Sequence, residues 1–168
     1  GEGDPAKSLR FKEAIETLYP VSYTLKFMIK KGKSKIDYAV MPLEGLWCAD
    51  DMSRFNPQNK NLWKWTLMIM QPECVTKELL ADAIDELKKK KDLSLVPEVR
   101  FENFCDGLSA QIMYVGPYAN EGQTIKKIHD FIRNKGHELR GRHHEIYLSD
   151  PRRAKPEKLK TIIRQPIK

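Results

Sequence analysis

Cysteine is scarce in this 168-residue chain, with only Cys48, Cys74 and Cys105. The number is odd and no C-x-x-C spacing occurs, which argues against a disulfide framework or a structural zinc site and fits a reducing, cytoplasmic setting. No apolar run approaches about 18 residues, so no transmembrane helix is expected, and the first residues show no secretory-signal pattern. Also lacking are a G-x-S-x-G elbow, a P-loop and a dinucleotide fingerprint. No helix-turn-helix, zinc finger or RNP-like motif is present. What is there is 40% hydrophobic, enough for a packed core, with a net charge of +7. The basic residues are spread over three stretches: Lys26 to Lys35, Lys88 to Lys91, and the tail from Arg152 to Lys168. Lysines at a helix end complement its dipole, and all three stretches read as solvated faces. Direct nucleic-acid binding therefore ranks last among the partners considered, and a membrane is not one of them.

Hydrophobic periodicity divides the chain. A helix is expected over Ser8 to Lys31, capped by Ser8, broken or kinked at Pro20 and ended by Gly32. A strand follows at Ile36 to Met41, then a bend at Pro42, Glu44 and Gly45 before Leu46-Trp47-Cys48. Residues 49–61 are polar and turn-rich, a loop. LWKWTLMIM, Leu62 to Met70, is the strongest strand signal. A second helix starts at Thr76. Strands are expected at Val99 to Cys105 and Leu108 to Val115, joined by a hairpin at Asp106-Gly107. A third helix spans about Glu121 to Asn134, with Ile125, Ile128, His129 and Ile132 on one face. His129 there reads as a hydrogen-bonded core histidine. Strands at His143 to Leu148 and Lys160 to Ile167 close the chain.

The order of these elements repeats. The second half reads strand, Gly-containing loop, helix, strand, long loop, strand, and the first half matches if a first strand is missing ahead of Gly1. The pseudo-repeats are about 1–72 and 98–168, joined by a helix over 76–91, within one domain. If so, a strand slot beside the first-half sheet is empty or filled by another chain. The expected fold class is α+β: a duplicated strand-helix-strand-strand unit forming a curved antiparallel sheet with helices on one face. The open side between the halves is a natural place for a small ligand.

The segment HHEIYLSDPRR, His143 to Arg153, holds the sharpest candidate. Strand alternation puts His143, Glu145 and Tyr147 on one face and His144, Ile146 and Leu148 on the other. The apolar set is expected to face the helices, leaving Glu145 and Tyr147 toward the open side. A half-buried carboxylate is commonly salt-bridged; in an aromatic pocket it binds a cation or acts as a general base whose pKa is raised by burial. His143 and Glu145 form an H-x-E pair, but no third ligand stands at a recognisable spacing, so neither a metal nor a cofactor is expected. Trp63 and Trp65 share one face of their strand and suit either a core or a ligand wall. Tyr38 and Tyr114 are open to the same two readings.

DYAVMPLEGLW (37–47), WKWTLMIMQP (63–72), QIMYVGPYANEG (111–122) and HHEIYLSDPRR with PEKLKTIIRQPI together resemble the GyrI-like small-molecule-binding family over nearly the whole chain. They look most like its stand-alone members. The resemblance implies a duplicated strand-helix-strand-strand fold similar to effector-binding domains, with a hydrophobic, aromatic-lined cleft between the repeats. Within it Trp47, Trp63, Trp65, Tyr38, Tyr114 and Tyr118 are candidate ligand contacts, and Glu145 sits at the centre. One stand-alone branch resembles cyclopropanoid cyclopropyl hydrolases, which detoxify DNA-alkylating natural products by adding water to a strained ring. There a glutamate and a tyrosine are implied as catalytic. Glu145 carries over; among Tyr147, Tyr38, Tyr114 and Tyr118 the choice stays open, with Tyr147 the first candidate. The expected partner is thus a hydrophobic aromatic small molecule. The alternatives are a non-catalytic receptor for hydrophobic, often cationic compounds and a gyrase-inhibitor-like interaction protein.

Overall fold

Ser8 begins the first helix as the sequence predicts, its hydroxyl accepting the Phe11 N–H at 3.2 Å. In the computed structural model, which describes residues 1–49 and 60–168, helix α1 spans Leu9–Lys31 and runs through Pro20. Pro20 costs the helix one backbone hydrogen bond, and burial of Val21, Leu25 and Ile29 on one stripe offsets that loss. Gly32 closes it: its N–H donates to Met28 O at 2.8 Å, and a Cβ there would stand 2.9 Å from the same oxygen. The remaining elements are β1 Leu43–Cys48, β2 Lys64–Ile69, α2 Lys77–Lys88, β3 Ser109–Val115, α3 Gly122–Asn134, β4 His143–Tyr147 and β5 Lys160–Pro166. Among the described residues the fold is α+β, with a five-stranded sheet in the order β2-β1-β4-β5-β3. The β1–β4, β4–β5 and β5–β3 pairs are antiparallel.

Two units compose the chain. One comprises Gly1–Asp4, Pro42–Thr66 and Phe104–Lys168; the other comprises Pro5–Met41 and Leu67–Asn103. In the second unit α1 and α2 pack through Val21, Leu25, Ile29, Leu80, Ala83 and Leu87. Thr76 caps α2 by accepting the Leu79 N–H. In the first unit α3 lays Ile128 and Ile132 on Ile163 and Ile167 of the sheet. Each fully buried aliphatic side chain of this kind contributes about 1.5–3 kcal/mol.

Three expectations need correction. Residues 36–41 form no strand; Tyr38 from that stretch packs instead against the core of the second unit. Glu44 and Gly45 are not a bend but the middle of β1, where Gly45 pairs with Glu145. Val99 to Cys105 forms no strand and pairs with none among the described residues, with Val99 and Phe101 packed against the second unit's core. The Asp106-Gly107 hairpin is therefore absent. Asp106 is drawn away by His144 and Arg164, and β3 pairs with β5 instead. The expected loop over 49–61 falls largely outside the described residues.

The two halves share a detail of register. Gly116 N–H donates to Leu159 O at 2.9 Å, and Gly3 N–H donates to Trp63 O at 2.8 Å. Val115 pairs with Lys160, and Glu2 bridges Lys64. Residues 1–3 thus lie beside β2 as the end of β3 lies beside β5.

The basic stretches are largely paired on the surface. Lys26 and Lys30 flank Asp37, and Lys89 and Lys90 flank Glu86. Asp150 accepts both the backbone and the guanidinium of Arg152, which holds its carboxyl down at about 2. Exposed pairs of this kind add little stability.

Candidate functional site

Strand pairing fixes which side of the sheet carries Glu145. Directly paired residues share a face, and Glu145 pairs with Gly45 on one side and Ile163 on the other. Ile163 is packed beneath α3. The face of His143, Glu145 and Tyr147 is therefore the helix-covered one, opposite to the sequence expectation. The physical reason lies on the far face: His144 is satisfied there by carboxylates, while Met113, Val115 and Leu148 are tolerated partly in solvent.

On this face the polar groups form a chain. Trp47 Nε1–H donates to Tyr147 Oη at 3.1 Å, and Tyr147 O–H donates to Glu145 Oε2 at 2.8 Å. The other oxygen, Oε1, lies 3.0 Å from His143 Nε2. Glu145 is 8% exposed and His143 2%. Burial, then the neighbouring carboxylate, push the Tyr147 phenol well above its usual value. Tyr147 therefore keeps its proton and uses it to hold the carboxylate. Aromatic rings close around this chain: Trp63 meets Trp47 edge-on at 5.4 Å, and Tyr118 meets Tyr147 edge-on at 5.6 Å. Lys60 lies over the Trp63 ring at 5.3 Å.

Gly45 makes the arrangement possible. A Cβ at this position would lie 2.8 Å from Trp47 Nε1 and 3.1 Å from Tyr147 Oη. Gly45→Ala is expected to push the indole and phenol apart and to destabilise the fold by about 1–3 kcal/mol, as overpacking does. Urea unfolding measures this cost, and near-ultraviolet absorbance of Tyr147 measures the displaced phenol.

One further acid belongs to the site and was not singled out in the sequence. Glu121 directly precedes α3 and is 5% exposed. Burial and the nearby Glu145 charge raise its carboxyl to about 8, opposed by the Thr161 hydroxyl and by Lys60. An acid ahead of a helix usually reads as a cap, which is why it passed unnoticed. Yet its side chain makes no capping hydrogen bond.

A family model for the GyrI-like small molecule binding domain matches residues 2–168. The chain belongs to that family. Solved structures similar to this GyrI-like domain include an uncharacterized conserved protein from Listeria innocua, 38% identical with a TM-score of 0.89. Two structures of a hydrolase from Listeria innocua are each 37% identical, with TM-scores of 0.84 and 0.85. Each comparison covers 100% of this chain and 84% of the other. No curated protein matches.

Of the sequence candidates, the structure of this GyrI-like domain gathers Glu145, Tyr147, Trp47, Trp63 and Tyr118. Tyr114 lies on β3 with its O–H given to Pro117 O at 2.9 Å; burial, then Glu121, raise its phenol. Trp65 is 5% exposed and borders Gly1. Tyr38 packs in the second unit, where burial, then Cys74, raise its phenol. His129 is half-buried on α3, its imidazole lowered first by burial and then by His143 and Arg133. His143 and Glu145, the two residues of the H-x-E motif, bond to one another.

Proposed function

We propose that this GyrI-like domain binds flat, hydrophobic aromatic molecules against Trp47, Trp63, Tyr118 and Tyr147, and hydrolyses strained cyclopropane rings borne by DNA-alkylating natural products. The observation that carries the reading is the Trp47–Tyr147–Glu145 hydrogen-bonded chain inside an aromatic surround. Such a chain holds a buried carboxylate in one orientation, which general-base catalysis needs more than any particular fold. Glu145 takes a proton from water as the water oxygen attacks the ring carbon. Ring strain supplies much of the driving force. Because the only O–H of Tyr147 goes to Glu145, its role is to orient the carboxylate. Water-adding chemistry is in keeping with the hydrolase description of the Listeria innocua neighbours.

The test is product analysis after incubation with a cyclopropane-bearing aromatic alkylator. A ring-opened product heavier by one water supports the reading. Binding without conversion favours the second reading, a non-catalytic receptor for aromatic cations. That reading is favoured by the same carboxylate among ring faces.

A further inference from the structure

Opening a conjugated cyclopropane needs two proton movements. Water loses a proton as its oxygen bonds to the ring carbon. The ring C–C bond breaks, its electron pair moves to the conjugated carbonyl oxygen, and that oxygen gains a proton. Glu145 serves the first movement. For the second, Tyr147 and Tyr114 have already committed their hydroxyls to Glu145 and to Pro117 O.

Glu121 stands differently. Its carboxyl is enclosed at 5% exposure, and its Oε1 has no hydrogen-bond partner among the described residues. Buried polar atoms are nearly always paired, so an unpaired oxygen on a buried acid points to an occupant. Thr161 pairs with both Tyr147 and Tyr114, which puts it on the face that carries Glu145. Glu121 N–H donates to Tyr118 O at 3.4 Å, and the Tyr118 ring meets Tyr147 edge-on at 5.6 Å, so Glu121 follows directly on a ring of the site. Burial, then the charge of Glu145, keep the Glu121 carboxyl protonated.

We propose that Glu121 is the proton donor of this site: its carboxylic acid protonates the ligand carbonyl oxygen while Glu145 takes the proton from water. The assignment rests on the hydrolytic reading above. The step balances without any other reactant. Glu121 ends as carboxylate and Glu145 as acid, and return of one proton from Glu145 to Glu121 resets the pair. The site carries one negative charge throughout, and the net change is the addition of water. Among the described residues, the ionisable groups that act on Glu121 are Glu145 and Tyr147 of β4, Tyr114 of β3 and Lys60 ahead of β2. A carboxyl raised to about 8 keeps its proton at neutral pH and has enough acidity to give it up.

The experiment follows kcat and KM for a cyclopropane-bearing aromatic alkylator from about pH 6 to about pH 10, in the wild type and in E121Q. In the wild type kcat is expected to fall as pH rises through about 8. Glu121→Gln, isosteric with the neutral acid, is expected to lower kcat about 10²–10⁴-fold. Its KM and its thermal midpoint near neutral pH stay close to wild type, and the alkaline limb disappears. A second readout needs no turnover: the carbonyl stretch of a protonated carboxylic acid, seen by infrared difference at neutral pH, vanishes in E121Q. An E121Q that keeps its kcat and its alkaline limb, while E145Q is inactive, overturns this assignment and leaves the hydrolytic reading standing. A wild type that opens no ring defeats both.

Discussion

Glu145→Gln is expected to lower kcat/KM for ring opening by about 10²–10⁴-fold, the range a positioned general base supplies. Binding of the unreacted aromatic ligand is expected to change little. The substitution keeps shape and most hydrogen bonds. The amide oxygen still accepts from Tyr147, whose O–H lies 2.8 Å from Oε2 in the wild type. The amide nitrogen can donate to His143 Nε2 once that imidazole carries its proton on Nδ1. What disappears is basicity and one negative charge. Steady-state kinetics separate the two losses. A fall in kcat at constant KM identifies the base, whereas a weakened affinity confined to cationic ligands identifies a binding group. Undiminished turnover in the variant would remove Glu145 from the chemistry.

His144→Ala is expected to destabilise the protein by about 3–5 kcal/mol, the cost of removing one partner from a buried ionic cluster. His144 is 1% exposed, with Asp106 Oδ2 at 2.7 Å from Nδ1 and Glu44 Oε2 at 2.8 Å from Nε2. Phe104 meets the imidazole edge-on at 5.9 Å. Arg164 stays on Asp106 at 3.2 Å, which places the loss toward the lower end of the range. Burial alone would lower the imidazole's pKa, but hydrogen bonds and charge from Glu44 and Asp106 outweigh it, so the net shift is upward from 6.5. The pH dependence follows from that sign. Below about 6.5 both folded and unfolded chains hold the proton, and the cluster contributes in full. Above it the folded state retains a proton that the unfolded state loses. The contribution therefore shrinks with rising pH until the folded imidazole titrates. Urea unfolding at several pH values checks this: the gap between wild type and His144→Ala should narrow toward alkaline pH. A gap independent of pH would show that packing against Phe104, not charge, is what His144 provides.

The helices were legible because capping and periodicity agreed. Ser8, Thr76 and the isoleucine stripe of α3 each stand where the sequence placed them. β4 and β5 were legible from their β-branched and aromatic content. The first half misled at Gly45, which looked like a bend. Its lack of a side chain instead admits Trp47 and Tyr147, a need that exists only once β4 lies alongside. Asp106-Gly107 misled similarly, since the carboxylate answers to His144, 38 residues further on. Alternation correctly separated Glu145 from His144 but could not tell which face the helix covers. It failed because the rule that apolar side chains face inward is reversed where buried ionic groups satisfy one another. Glu121 was invisible for a related reason: one acid before a helix looks like any other until burial is known.

The edge-on meeting of Trp47 and Trp63 has a spectroscopic consequence. The chain holds three tryptophans, and two of them form this pair at 5.4 Å with 65° between ring planes. Two indoles so close and so inclined couple their strong transition dipoles, so the pair should give a far-ultraviolet circular dichroism couplet that an isolated indole lacks. A ligand stacking against either ring would change that couplet without any label. Occupancy of the site could then be followed optically even for compounds that are never turned over.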